Sequence, residues 1–99
     1  MRVVSKKIRN AARGQNCTLR LSECNFNPET TVLAHLPNGF KGVGMKGLDT
    51  VAVFACSDCH DSIDGRTRNT GPVDWRDITR ALAETHEVLI RMGIVEVKA

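Results

Sequence analysis

A small α+β domain, held together by more than apolar burial, is the fold class this sequence predicts. Three observations predict it. Two short β-branched, apolar segments lie among segments with helical spacing and end signals. The chain has 99 residues, enough for one domain, and a chain of that size buries only about 60–65% of its unfolded surface. Aromatics are 4% of residues, with three Phe, one Trp and no Tyr, while four cysteines offer a second source of stability. With 41% hydrophobic and 25% charged residues, the composition is that of a folded chain and not of a disordered one.

The elements follow in order. Ser5 to Arg13 reads as a short helix, with Ser5 as N-cap, Ile8, Ala11 and Ala12 as its apolar stripe and Gly14 as its end. Cys17 to Cys24 begins with alternating residues, Cys17-Thr18-Leu19-Arg20-Leu21, which suit a strand or a knuckle. Asn25-Phe26-Asn27-Pro28 is a turn cluster. Thr30 to Leu36 is β-branched and apolar, hence a strand, closed by Pro37-Asn38-Gly39. Residues 38–47 carry four of the eight glycines and the charges of Lys41 and Lys46, and read as a mobile basic loop. Thr50 to Ala55 is a second buried strand, and a helix is expected from the Cys56-Ser57-Asp58-Cys59-His60 run to about Arg68.

Asp74 to Met92 is the strongest helix. Asp74 is placed to cap it, Asp77 suits its positive end, and Gly93 suits the position after its last turn. Trp75, Ile78, Ala81, Leu82, Thr85 and Leu89 form one face at i, i+3, i+4 spacing, expected to pack internally, with a homodimer interface as the other possibility. Ile94 to Val97 reads as a short edge strand. The organisation is a single domain over 1–99: a basic helix or arm at 1–15, a core at 16–68 and a supporting helix at 73–93.

No run of about 18 apolar residues is present, so a transmembrane helix is excluded and no membrane partner is expected. The charged start lacks an apolar stretch behind it and does not read as a secretory signal, so a reducing cytoplasmic setting is expected. The net charge is +3, unevenly spread: residues 1–22 hold Arg2, Lys6, Lys7, Arg9, Arg13 and Arg20 and none of the eleven acids. Such an arm suits a phosphate backbone, or else is a solvated terminus.

The four cysteines fall into Cys17-x6-Cys24 and Cys56-x2-Cys59. A CxxC knuckle brings two thiolates to one ion, and Zn²⁺ takes four such ligands tetrahedrally at ~2.3 Å. Structural zinc contributes on the order of 10 kcal/mol to folding, which would offset the thin core. Reduced buried cysteines and a thiol redox pair are the alternatives, and disulfides would leave three pairings open. His35 ends a strand, His60 directly follows Cys59, and Asp64 lies four residues after His60, so on a helix those two share a face and make a two-ligand site for a divalent cation. Asp49 sits at the entry to the second strand, and His86 reads as a surface or core-flanking residue.

Val32-Leu33-Ala34-His35, the Gly/Lys loop, Lys46-Gly47-Leu48-Asp49 and Cys56 to Asp64 resemble the HNH, or ββα-metal, endonucleases of the zinc-bearing kind. Ala11-Ala12-Arg13-Gly14, Cys17, Asn27-Pro28-Glu29-Thr30 and Leu33-Ala34-His35 extend the resemblance to small prophage-encoded nucleases of the YbcO type, over roughly residues 8–68. The resemblance implies a zinc-stabilised, treble-clef-like ββα-metal domain flanked by a short N-terminal helix and a C-terminal amphipathic one. It implies a DNA endonuclease acting on double-stranded or branched substrates, in phage DNA processing or recombination. In it His35 is the general base, Asp49 stands where the family has Asn, His60 and Asp64 hold the catalytic divalent ion, and Cys17, Cys24, Cys56 and Cys59 hold structural zinc. Ala34 departs from the family members that carry a metal-binding Asp or His before the base, which leaves His60 and Asp64 as the protein ligands.

The mechanism this implies has His35, with an ordinary imidazole pKa of about 6.5, deprotonating the attacking water. Mg²⁺, Mn²⁺, Ni²⁺ or Zn²⁺ would neutralise the phosphate, and Asp49 would accept from His35 Nδ1–H. Arg2, Lys6, Lys7, Arg9, Arg13, Lys41 and Lys46 are expected to contact phosphates with weak sequence specificity. A catalytically inactive, zinc-stabilised nucleic-acid-binding module, or a scaffold held by zinc, are the competing readings.

Overall fold

The computed structural model describes residues 4–36, 48–64 and 74–98. The expected 38–47 loop, Arg2, Lys41, Lys46 and the helix residues beyond Asp64 lie outside that range.

Within it the chain is α+β. The elements are α1 (Lys6–Ala11), a short 3-10 turn (Pro28–Thr30), β1 (Val32–His35), β2 (Ala52–Ala55), α2 (Ser57–Ile63) and α3 (Trp75–Arg91). The helix ends are set where the side chains dictate. Ser5 caps α1 by accepting from the Ile8 amide, and Gly14, at φ +77, follows it. Asp74 caps α3 by accepting from the Arg76 amide, and Gly93 turns the chain at φ +74. Neither glycine has another atom within 4 Å of where a Cβ would lie, so the left-handed backbone alone is the reason for glycine there. Asn27 caps the 3-10 turn through the Glu29 amide, with Pro28 at its start.

β1 and β2 pair antiparallel, His35 opposite Ala52 and Leu33 opposite Phe54. Side chains alternate between the two faces. Ala34, Leu36, Val53 and Ala55 face a core shared with Cys17, Leu19, Cys56, Cys59 and Ala81. Leu33 and Phe54 face a second cluster built from Ile8, Ala11, Ala12 and Leu89. α3 thus contributes Ala81 to one core and Leu89 to the other. Between them Thr85 is fully buried and accepts from the Phe54 amide at 3.1 Å, while Thr18 N–H reaches the Phe54 carbonyl at 2.7 Å. The outer edge of β2 is therefore satisfied by a loop and a helix side chain rather than by a third strand.

Of the two forms open to residues 17–24, the chain takes the knuckle: they form turns and no strand, with Arg20 at φ +45 and the Cys24 amide returning to the Leu21 carbonyl at 2.9 Å. Two expectations fail. Residues 94–97 are not a strand, since the Ile94 and Val95 amides fold back onto the Leu89 carbonyl and Val97 is exposed. Trp75, expected on the apolar face of α3, is 69% exposed, because it lies in the first turn at the margin of the stripe that Ala81, Thr85 and Leu89 centre.

Candidate functional site

The four cysteines meet. Cys17 and Cys24 come from the turns after α1, and Cys56 and Cys59 from the start of α2, where Cys56 is the N-cap. Their sulfurs all lie within 4.8 Å of one another. Cys24 and Cys56 Sγ are 3.7 Å apart, close to the edge of about 3.8 Å that a tetrahedron with ~2.3 Å Zn–S bonds requires. All four are free thiols. Backbone amides point at two sulfurs, Arg20 N–H at Cys17 and Cys59 N–H at Cys56, both at 3.4 Å. Burial pushes the Cys24 thiol up to about 11, and burial and its cysteine neighbours push the Cys59 thiol up as well. Burial opposes ionisation of Cys56 too, but the amides of Cys59 and Asn25 outweigh it and lower that thiol. Four sulfurs this close, three of them buried, do not ionise together unless a cation joins them, and the donor set and spacing fit one divalent ion.

The first knuckle is fixed from α3. Arg80 donates to the carbonyls of Thr18 at 3.1 Å and Leu19 at 2.6 Å. Arg20 forms a two-pronged pair with Glu84 at 2.7 and 2.8 Å. Sequence reading missed Arg80; its spacing from Asp77 and Glu84 was the available signal, and it pointed only to a helix-surface ion pair.

On the opposite sheet face, at the end of β1, His35 Nε2 lies 2.7 Å from Asp49 Oδ1. The Asp49 side chain is fully buried. Its second oxygen accepts the Ser5 amide at 2.6 Å and Arg9 Nε at 3.0 Å. Burial would raise this carboxyl, but the hydrogen bonds from His35, Ser5 and Arg9 prevail and hold it below its ordinary 3.8. An ionised carboxylate only accepts, so Nε2 carries the proton and Nδ1 of a neutral ring keeps its lone pair. The ring nitrogen that meets Asp49 is thus Nε2, not the expected Nδ1. The turn before β2 is braced by the Leu36 amide on Val51 O at 3.0 Å and by His86 Nε2 at 2.7 Å from Thr50 O.

A cleft of about 310 Å³ opens beside His35 between α1 and β1, lined by Arg9, Ala12, Arg13, Thr31, Val32, Leu33 and His35. Arg9 of the expected basic arm is anchored on Asp49, whereas Lys6, Lys7 and Arg13 are exposed. Arg20, counted in the same basic stretch, is neutralised by Glu84.

His60 and Asp64 do share a helix face, with Nε2 and Oδ2 3.2 Å apart and both side chains partly exposed. They offer one imidazole and one carboxylate, enough for two positions on a divalent cation and no more. Neither lines the cleft beside His35. Ala34 is fully buried, with its side chain in the cysteine-side core and so on the face opposite His35.

Comparison with known proteins covers most of the chain. The family model described as "Putative nuclease YbcO" matches residues 6–94. A protein of that description from Escherichia coli K12 is 39% identical over 92 residues, spanning 90% of this chain and 96% of the relative. One from Enterobacteria phage 82 matches with the same identity and coverage. A solved structure, described as "Structure of a putative bacteriophage protein from Escherichia coli str. K-12 substr. MG1655", is 36% identical and superposes with a TM-score of 0.64 over 88% of this chain and all of the other.

Proposed function

The chain belongs to the YbcO family, and from that premise we propose that it is a metal-dependent DNA endonuclease of the HNH type. The observation that carries the reading is an imidazole, His35, held through Nε2 by a fully buried carboxylate at the rim of a cleft bearing two arginines. The order β1–β2–α2, with His35 closing β1 and His60 and Asp64 on α2, supports the HNH assignment.

In this reading Nδ1 of His35 takes the proton of a water whose oxygen forms the new P–O bond as the P–O3′ bond breaks. Asp49 keeps the ring in that tautomer and orientation and stabilises the imidazolium that results. Arg9 and Arg13 neutralise phosphate charge in the cleft, and Lys6 and Lys7, with Arg2, Lys41 and Lys46, hold the backbone without reading bases. His60 and Asp64 would hold a divalent cation, which supplies positive charge for the phosphate and the departing oxygen. The four cysteines would hold zinc as a closed structural site with no part in the chemistry. The phage relative supports a role in phage or prophage DNA processing.

Plasmid nicking with Mg²⁺, Mn²⁺ or Ni²⁺ tests the reading. Wild type is expected to nick and His35→Ala to lose at least a hundredfold in rate. Equal nicking by both proteins sinks it. DNA binding at low salt without nicking under any of the three metals would make the chain a zinc-stabilised binding module instead.

A further inference from the structure

We propose that the far end of the α1–β1 cleft is a second phosphate seat, which holds an internal phosphodiester flanking the one attacked at His35, with Arg13 and Thr31 as its donors. This rests on the nucleic-acid reading above and adds a requirement to it: the substrate must extend past the cut on one side.

Thr31 is 3% exposed, and among the described residues its hydroxyl is buried without a hydrogen-bond partner. A buried hydroxyl left unpaired costs about 1–3 kcal/mol, so it calls for an explanation. Thr31 lines the cleft, and among the described residues the other polar side chains there are Arg9, Arg13 and His35, with no carboxylate. Arg9 lies in the last turn of α1 and Arg13 in the turn that follows it, and both line the cleft. Arg9 is tied to Asp49 through Nε, which leaves its terminal nitrogens for a ligand. Among the described residues the cleft therefore offers donors and positive charge and no anionic group, the chemistry that receives a phosphoryl group.

Distance decides which phosphate. Thr31 immediately precedes β1 in extended backbone and His35 closes it, four residues apart, roughly 13 Å at ~3.3 Å per residue. A single phosphate does not span both. With the scissile group at His35 and its charge near Arg9, the group at Thr31 and Arg13 belongs to a neighbouring nucleotide. Arg9, between the two, serves both seats.

Thr31→Val is the discriminating variant. It keeps the side-chain shape and removes a hydroxyl that has no partner among the described residues, so its melting temperature is expected to be unchanged or higher. Two measurements are made on the zinc-loaded chain. In the first, inorganic phosphate is titrated without added divalent metal and followed by ¹H–¹⁵N NMR. Shifts are expected at Thr31 and Arg13, with binding at least fivefold weaker in Thr31→Val and Arg13→Ala. Shifts that are absent there, or equal in all three proteins, overturn the seat. In the second, oligonucleotides with and without a 5′-phosphate are bound and cut. Equal affinity for both, with a KM raised about fivefold in Thr31→Val and the effect carried by KM rather than kcat, supports an internal diester. Binding that requires the terminal phosphate overturns the flanking-diester assignment. A chain that binds phosphate at Thr31 but nicks no DNA defeats the nuclease reading while keeping the seat. A chain that nicks DNA with KM unmoved in both variants does the reverse.

Discussion

At Asp49 one carboxylate takes a ring nitrogen, a backbone amide and a guanidinium in a fully buried position. Replacing it removes the shared partner of β1 and α1. Asp49→Ala leaves Arg9 and His35 without their acceptor, and a destabilisation of about 3 kcal/mol is expected in urea unfolding. Asp49→Asn keeps the volume but cannot accept from all three donors with both atoms, so it is expected to fold and to cut DNA about 10–100-fold more slowly. Activity within twofold of wild type in the Asn variant would remove Asp49 from the positioning role. The residues alone show a histidine ending one strand and an acid opening the next, and the pairing of His35 with Asp49 follows only from the family resemblance. The ring nitrogen used, and the arrival of Arg9 and the Ser5 amide on the same carboxylate, were legible in neither. They depend on where α1 docks, which no local pattern specifies.

The helices show which signals are self-contained. Ser5, Asp74, Gly14 and Gly93 set their ends where chain-local capping and left-handed turns require. Trp75 and the 94–97 segment misled because their fate depends on what lies opposite. β2 needs no further strand, as Thr18 and Thr85 already engage Phe54. Cys56 combines two roles, capping α2 through the Cys59 amide and lying 3.7 Å from Cys24 Sγ. Cys56→Ser preserves a capping oxygen but replaces a thiolate. Elemental analysis is therefore expected to find about one zinc per wild-type chain and a loss of zinc, with loss of the folded far-ultraviolet signal, in the variant. A wild-type chain that folds without metal would contradict the tetrahedral assignment.

Over the whole molecule, charge links the parts. Asp49 joins α1 to the sheet, and Glu84 joins α3 to the first knuckle through Arg20. The hydrogen bond from Arg20 holds the Glu84 carboxyl below its ordinary 4.5, and Asp49 is held below 3.8. Both are lowered on folding, so their stabilisation is fully present above the unfolded values and disappears as pH falls through them towards the folded ones. The melting temperature is expected to be flat from neutral pH to about 5 and to fall steeply below about 4. A profile that stays level to pH 3 would show that neither carboxylate contributes. No helix among the described residues is long and apolar enough to cross a membrane, as the lack of a long apolar run indicates.

By itself the sequence determined the two outer helices and their caps, the two strands, the α+β class and the four cysteines as a candidate metal-binding set. Those depend on caps, on the periods of strand and helix, and on residue types whose chemistry is local. The tertiary structure alone decided that Arg20 and Arg9 are tied to carboxylates, that Arg80 secures the first knuckle from another helix, that Asp49 binds Nε2, and that Thr31 lies buried and unpaired in a cleft with Arg9, Arg13 and His35. Each of these is a contact between segments far apart in the chain, and its partner is chosen by packing, on which neighbouring residues carry no information.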